Sequence, residues 1–463
     1  MRENMRSLWD SGKADEIVRG TSSESWECSG VSIDTRTLEK GDLFVALEGE
    51  TGNGHAFLED AAHKGAAAAL VSEGCKASLP FLKVEDTLRA LEKLGIAART
   101  RSDAVRIAVT GSVGKTSTKE ALKWVFKDQG ITHGNVSSYN NHWGVPLTLA
   151  RMPQETQFAI FEVGMNHPGE IRPLTKMIKP DIAIITSIVE AHTAFFKSVE
   201  DIAQAKAEIF EGVEPGGRVI LNRDNPHFDY LAGVAQERNL KVYGFGKSKD
   251  ADFQLLSWEG GAEKSQVTAE IRGQKISYIL PVPGIHLVMN SLAVLGAVFL
   301  VEGNLKKAAH SLATVEALPG RGLRYKGEFT IIDESYNASP TSMRAAFAVL
   351  GKSEGTRKIA VIGDMRELGD ISQASHEGLL DALLENKIDL VFCCGPYMAY
   401  LYERLPNSIK GGYAPTSLEL IPLVLKTVEP GDVISIKASL GTRIKPIVEA
   451  LLDLQKNLLR KVS

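Results

Sequence analysis

Cysteine is scarce: four residues in 463, at Cys28, Cys75, Cys393 and Cys394, with no CxxC pair. That excludes a disulfide framework and a cysteine-built zinc site. Cys393 and Cys394 stand side by side in the apolar run LVFCCG, where they read as small buried hydrophobes. The pattern is that of a reduced, cytoplasmic protein. Long hydrophobic runs are also lacking. No stretch approaches the ~18 uninterrupted apolar residues of a membrane span, and MRENMRSLWDSGKADE has no signal-peptide core. Nor is positive charge in excess. Lys and Arg number 53 against 57 Asp and Glu, a net charge of −4, and no long basic run favours a nucleic-acid or anionic-membrane partner.

What is present is ordinary globular composition, 44% hydrophobic and 24% charged. Single cores stop growing near ~250–300 residues, so two or three domains are expected. Before residue 100, strand-like runs (DLFVAL, AAAALV, FLKV) alternate with polar turns and short helical pieces. The polar stretch ARTRSDAV then leads into a new strand, RIAVTG. From there FAIFEV, DIAIITSI and RVILN alternate with helical patterns, which argues for a parallel sheet covered by helices. The segment DFQLLSW…SQVTAEIRG…KISYILPV reads as an antiparallel strand insertion. Gly and Pro cluster again at LPGRGLRYKG, before a third series, FTIIDES, KIAVIGD, DLVFCCG and VISIKAS. The expectation is three α/β domains, at residues 1–103, 104–316 and 317–463.

RIAVTGSVGKTSTKEALKWVF reads as strand, glycine turn and helix. Gly111 and Gly114 let the backbone curl its N–H groups toward phosphate oxygens, and the helix adds its positive end. Lys115 would place a charge on the β- and γ-phosphates, and Thr116 a hydroxyl on Mg²⁺. The pattern departs from GxxxxGK[ST], because Val109 holds the first glycine position. The bland alternative is a glycine turn with a surface lysine.

Ligands of α/β sheets sit beyond the carboxyl ends of the strands. FAIFEV ends near Glu162, and the strand in DIAIITSI runs on to Glu190 and His192. A carboxylate and an imidazole there could ligate a divalent ion bridging ATP phosphates, although imidazole is the less usual Mg²⁺ ligand. A helix cap or a loop histidine bonded to backbone would explain each singly.

In SVEDIAQAKAEIFEGV, Ser198 and Asp201 resemble a capping box. Val199, Ile202, Ile209 and Val213 then share one helical face, with Lys206 inside the apolar stripe. Two readings stay open. Lys206 could snorkel to water, or burial could lower its amine so that it adds CO₂ and becomes a carbamate.

TGSVGKTSTKE, YNNHWGVPLTL, FEVGMN, SIVEAHTAFF, AQAKAEIF, GIHLVMNSL, LPGRGL, IIDESYNASPTSM and GDMRELG follow in that order. From about Ser32 to Lys437 the chain resembles the Mur ligase family. The resemblance implies a UDP-sugar-binding N-terminal domain, a central P-loop ATPase-type domain with a parallel sheet, and a C-terminal Rossmann-like domain. It implies ATP-dependent amide formation through an acyl phosphate. NNxxGVPLTL and DESYNASP favour one member of the family, and the resemblance to it implies UDP-N-acetylmuramoyl-tripeptide and D-alanyl-D-alanine as partners; a monomer is expected.

By the same resemblance, Gly111, Ser112, Val113, Gly114, Lys115, Thr116 and Ser117 would wrap the phosphates. Thr116 and Glu162 would hold a first Mg²⁺, and His192 with carbamylated Lys206 a second. Asn290, Arg321, Asp333, Tyr336 and Asn337 would reach ATP. Ser32, Asp34, Thr35 and Arg36 would meet the uridine diphosphate, and Asn140 and Asn141 the muramyl-peptide. Three motifs depart from the family's common forms: Gly52-Asn53-Gly54-His55 for FDGH, Lys437-Ala438-Ser439 for KGS, and the bulky His142 and Trp143 in NNxxGVP.

Overall fold

The computed structural model describes residues 7–49, 52–72, 78–136, 138–190 and 195–462. Three sheets follow one another along the chain. The first has five strands in the order Thr21–Ser22, Phe81–Lys83, Ala68–Val71, Asp42–Val45, Gly30–Ser32. All neighbours are parallel except the Thr21–Ser22 edge. Its central strands are buried on both faces, which is why DLFVAL and AAAALV run apolar without alternation. Helix Thr87–Thr100 starts where Asp86 accepts the Arg89 N–H at 3.0 Å. Leu91, Leu94 and Ala98 of that helix share a core with Leu147 and Ala150 of the next unit. The Trp9 indole N–H crosses the same seam to the Ala150 carbonyl at 2.8 Å.

The second sheet has nine strands. At its heart lie β1 (Val105–Thr110), β2 (Phe158–Glu162) and β3 (Ile182–Ile185), with β2 and β3 parallel to β1 on opposite sides. Strand order therefore reverses at β1, and a crevice opens beyond the carboxyl ends. Helix α1 (Lys115–Lys127) follows β1, α2 (Ile171–Ile178) follows β2, and α3 (Val199–Ala207) comes after β3. Alternate residues of β1 feed two cores, Ala108 one and Ile107 with Val109 the other. The strands Phe253–Gly260, Ser265–Ile271 and Gln274–Leu280 are antiparallel among themselves, as expected. They are not a separate insertion, because Phe253–Gly260 pairs parallel with Lys241–Gly246 and extends the same sheet.

The third sheet runs Leu323–Tyr325, Thr330–Glu334, Val433–Lys437, Lys358–Gly363, Leu390–Cys394, Lys410–Ala414. All pairings are parallel except the first, a Rossmann-like arrangement. The last strand, KGGYA, has too little apolar patterning to announce itself. Arg324 ties this unit to the second by a 2.8 Å bond to the Ala262 carbonyl. Among the described residues no helix is long and apolar enough to cross a membrane.

Candidate functional site

The phosphate loop is shaped by what lies beneath it. Gly111 has φ +148°, and a Cβ there would lie 2.0 Å from Thr186 Oγ1. Thr186 follows β3 and donates to the Val113 carbonyl at 2.6 Å. Ser112 donates its backbone N–H to the Ser187 carbonyl at 2.8 Å and its hydroxyl to Val189 at 2.9 Å. Gly114, at φ +88°, opens α1 without a side-chain cap, so the first-turn N–H groups stay available to an anion. Asn290, on the helix Ile285–Leu300, packs against Gly114, where an added Cβ would sit 2.7 Å from its Nδ2.

Lys115 lies across the mouth of this loop, donating to the carbonyls of Gly111 at 2.7 Å and Ser112 at 3.3 Å. Loss of water, above all, lowers its pKa; the charge of Arg321 adds to that, and Glu162 and Glu367 oppose it. Arg321 and Glu367 belong to the third unit, so charges from two sheets converge on one ammonium.

Glu162 ends β2 and is 1% exposed. Its Oε1 accepts from Asn140 Nδ2 at 2.7 Å, and its backbone N–H goes to Asn135 Oδ1 at 2.7 Å. Its Oε2 is buried without a hydrogen-bond partner. Leaving a carboxylate oxygen unpaired is costly unless a cation completes it. The buried Thr116 hydroxyl belongs to the first turn of α1. A carboxylate and a hydroxyl fit Mg²⁺, which takes few protein ligands and fills its octahedron with water and phosphate. Among the described residues no three His, Cys, Asp or Glu side chains gather as a metal cage. Glu190 is exposed, and His192 lies outside the described residues.

Lys206 is 1% exposed, which rules out the snorkelling reading. Ser198 caps α3 as expected, its Oγ accepting the Asp201 N–H at 3.1 Å. The single α-helical stripe to Val213 is not what forms. After Ala207 the winding tightens to a 3₁₀ turn over Glu208–Gly212, although Ile202 and Ile209 stay fully buried. Burial first, and the Lys115 charge second, push the Lys206 amine well below the ordinary lysine value.

In the third unit, both Asp333 oxygens serve backbone, with Gly320 N–H at 2.8 Å and Ser335 N–H at 3.0 Å. They fix the GRG turn, which places the Arg321 guanidinium 4.0 Å over the Tyr336 ring. The Asn337 side chain accepts from Ala338 N–H at 2.8 Å, and its carbonyl accepts from Lys437 Nζ at 3.0 Å. Lys437 also bonds Glu334 at 3.0 Å.

In the first unit, Ser32 Oγ donates to the Asp34 carbonyl at 3.0 Å. The exposed Arg36 grips the Asp34 carboxylate at 2.6–3.1 Å, and that bond chiefly holds the carboxyl below its usual range. The Thr35 carbonyl accepts from Lys64 Nζ at 2.6 Å. Asn141 accepts the Gly144 N–H at 3.0 Å, just ahead of the helix Gly144–Ala150.

Sequence reasoning missed Asn135, Thr186 and Glu367. A buried asparagine, a threonine under a loop and a glutamate in a turn carry no spacing signal. Glu367 has one trace, its place in the motif GDMRELG; the structure then shows it at a left-handed φ of +64°.

Fold and site define the class: a phosphate-loop α/β protein whose phosphate site is met by the Rossmann-like third sheet. The Mur ligase middle domain matches residues 109–298, the Mur ligase glutamate ligase domain residues 321–440, and the Mur ligase family catalytic domain residues 27–78. The UDP-N-acetylmuramoyl-tripeptide–D-alanyl-D-alanine ligase of Rickettsia prowazekii is 35% identical, over 96% of this chain and 99% of its own. The Bacillus subtilis protein of the same name is 34% identical, over 95% and 97%. A crystal structure of MurF from Acinetobacter baumannii superposes with a TM-score of 0.85 at 28% identity, covering 96% of this chain and 99% of that one. The chain belongs to the Mur ligase family.

Proposed function

We propose that this chain joins D-alanyl-D-alanine to UDP-N-acetylmuramoyl-tripeptide at the expense of ATP, in the cytoplasm and as a monomer. Relatives named for that reaction match it over nearly their whole length. The observation that carries the chemistry is the fully buried amine of Lys206, acted on by Lys115, in a site where Glu162 Oε2 lacks a partner.

ATP binds with its phosphates on residues 111–117, where Lys115 leaves the loop carbonyls for the transferring group, and Asn290 meets the nucleotide. Arg321, Tyr336 and Asn337 supply the third unit's side of the site, with Asp333 holding the turn that carries Arg321. Ser32, Asp34, Thr35 and Arg36 bind the uridine diphosphate, and Asn140 and Asn141 face the muramyl-peptide. A carboxylate oxygen of the tripeptide attacks the γ-phosphorus, the bond to ADP breaks, and an acyl phosphate forms. The free amine of D-Ala-D-Ala then adds to the acyl carbon, the nitrogen gives up a proton, and phosphate leaves. Lys115 and Arg321 stabilise charge that builds on the transferring group.

Thr116 and Glu162 would hold one Mg²⁺, and His192 with modified Lys206 a second; when bound, these ions would add to the neutralisation of the phosphate oxygens. The modification is a carbamate. The neutral Lys206 nitrogen bonds to the carbon of CO₂, one C=O π pair becomes carboxylate, and one proton passes to solvent.

The test is phosphate release with ATP, UDP-N-acetylmuramoyl-tripeptide and D-Ala-D-Ala, each omitted in turn. The ligase releases phosphate in step with product only when all three are present. Equal release without the dipeptide identifies a phosphate-loop ATPase instead and overturns the reading.

A further inference from the structure

Lys206 can act only if its helix holds one position relative to Glu162, and the structure contains a fastening between them. Helix α2 begins soon after Glu162, yet its own cap residue, Glu170, makes no side-chain capping bond. Glu208, from the segment after α3, supplies that acceptor. Its Oε1 accepts the Gly169 N–H at 2.7 Å and its Oε2 the Arg172 N–H at 3.1 Å. A carboxylate at this helix end is also favoured by the helix dipole. Glu208 is 8% exposed and lies two residues after Lys206, where α3 gives way to the 3₁₀ turn.

The rest of the contact is tight. Thr175 on α2 donates to the Ile209 carbonyl at 2.7 Å. Gly212 lies so close that a Cβ would come 2.2 Å from the Thr175 carbonyl oxygen. On the other side, the loop from Glu162 to α2 is itself fixed, with Gly164 N–H on the Asn140 carbonyl at 2.9 Å and Asn166 N–H on Glu170 at 2.7 Å. A continuous chain of bonds thus runs from Glu162 through Gly169 and Glu208 to Lys206.

We propose that Glu208 is a positioning residue for the ligase reaction: its carboxylate docks the Lys206 segment onto the loop after Glu162 and sets the spacing between the Glu162 and Lys206 metal positions. This rests on the carbamate reading of Lys206. Supporting shells of this kind are worth roughly 10–100-fold in metal affinity. Glu211 serves as the control. It lies in the same interface and pairs with Arg172 at 2.8 Å and Lys176 at 3.2 Å, but holds no backbone N–H of the Glu162 loop.

The experiment measures two quantities on the full chain: the Mg²⁺ concentration for half-maximal velocity, and the carbamate carbon signal after equilibration with ¹³C-bicarbonate. Wild type shows a carbamate signal that Lys206→Ala lacks. Glu208→Ala needs at least tenfold more Mg²⁺ with unchanged KM for the UDP-linked substrate. Glu208→Gln, keeping one acceptor, falls about three- to tenfold short of wild type, and Glu211→Ala matches wild type. Wild-type Mg²⁺ dependence in Glu208→Ala overturns the proposal, as does the same result in Glu208→Gln should the alanine variant fail to fold. Absence of the carbamate signal in wild type overturns the Lys206 reading itself, a result separable from either.

Discussion

Asn140 gives its amide to one oxygen of Glu162 at 2.7 Å, while the other oxygen stays buried with no partner. The asparagine orients the carboxylate, and the free oxygen points to where a cation completes the site. Asn140→Ala is therefore expected to raise the Mg²⁺ requirement roughly 10–100-fold, read from velocity against Mg²⁺ concentration. A rise confined to the KM of the UDP-linked substrate would instead assign Asn140 to the muramyl-peptide alone.

Gly111 admits no side chain. At φ +148°, with Thr186 Oγ1 2.0 Å from a would-be Cβ, Gly111→Ala must displace the loop from the strand beneath it. The expected outcome is loss of ATP binding by calorimetry, at least 100-fold, with little change in affinity for the UDP-linked substrate. Thr186→Ala in the same chain removes the clash but not the backbone strain, and restores binding only in part.

The Lys206 amine makes a signed prediction about stability. Its folded pKa lies below the ordinary 10.5, so between those values the unfolded chain holds the proton and the folded chain does not. Stability from this group rises with pH through that window, and its full cost applies below it. Lys206→Met, in CO₂-depleted buffer, should unfold at higher temperature than wild type at neutral pH. The gap should close as pH approaches 10.5. A gap that widens with pH would contradict the assignment.

Far from the phosphate loop, Arg357 holds Asp432 with bonds of 2.9 and 2.7 Å at the amino end of strand Val433–Lys437. Asp432 is 1% exposed and also accepts the Glu429 N–H at 2.8 Å. Breaking a buried pair costs about 3–5 kcal/mol, and the partial exposure of Arg357 brings Asp432→Ala to about 2–3 kcal/mol. Denaturant melts should show that loss, with kcat unchanged at 25 °C.

Much of this was legible in the sequence, for reasons that differ by residue. Strands such as Asp42–Val45 and Ile182–Ile185 announce themselves because both faces are buried and the apolar run is unbroken. The phosphate loop is legible because few residues can replace Gly111 and Gly114 at positive φ. Lys206 stood out as a charge where the helical period demanded an apolar side chain, but period alone could not separate snorkelling from chemistry; burial removes the snorkelling reading. What stayed hidden is tertiary. No spacing rule brings Asn135 or Asn140 to Glu162 across 27 or 22 residues, or Glu208 to Gly169. The switch to a 3₁₀ turn at Glu208 coincides with its bonds to the start of α2, a partner no local pattern announces. Asp333 is legible as an invitation to bind something, yet its two oxygens are spent on the turn that carries Arg321.

The central claim is that Lys206 works as a chemical group and not as a packed hydrophobe. The most direct measurement is ligase velocity of Lys206→Ala with and without added formate or acetate. The account predicts that the variant is inactive alone and that either small carboxylate restores part of the rate by standing in for the lost anion. Full activity in the unsupplemented variant would contradict it.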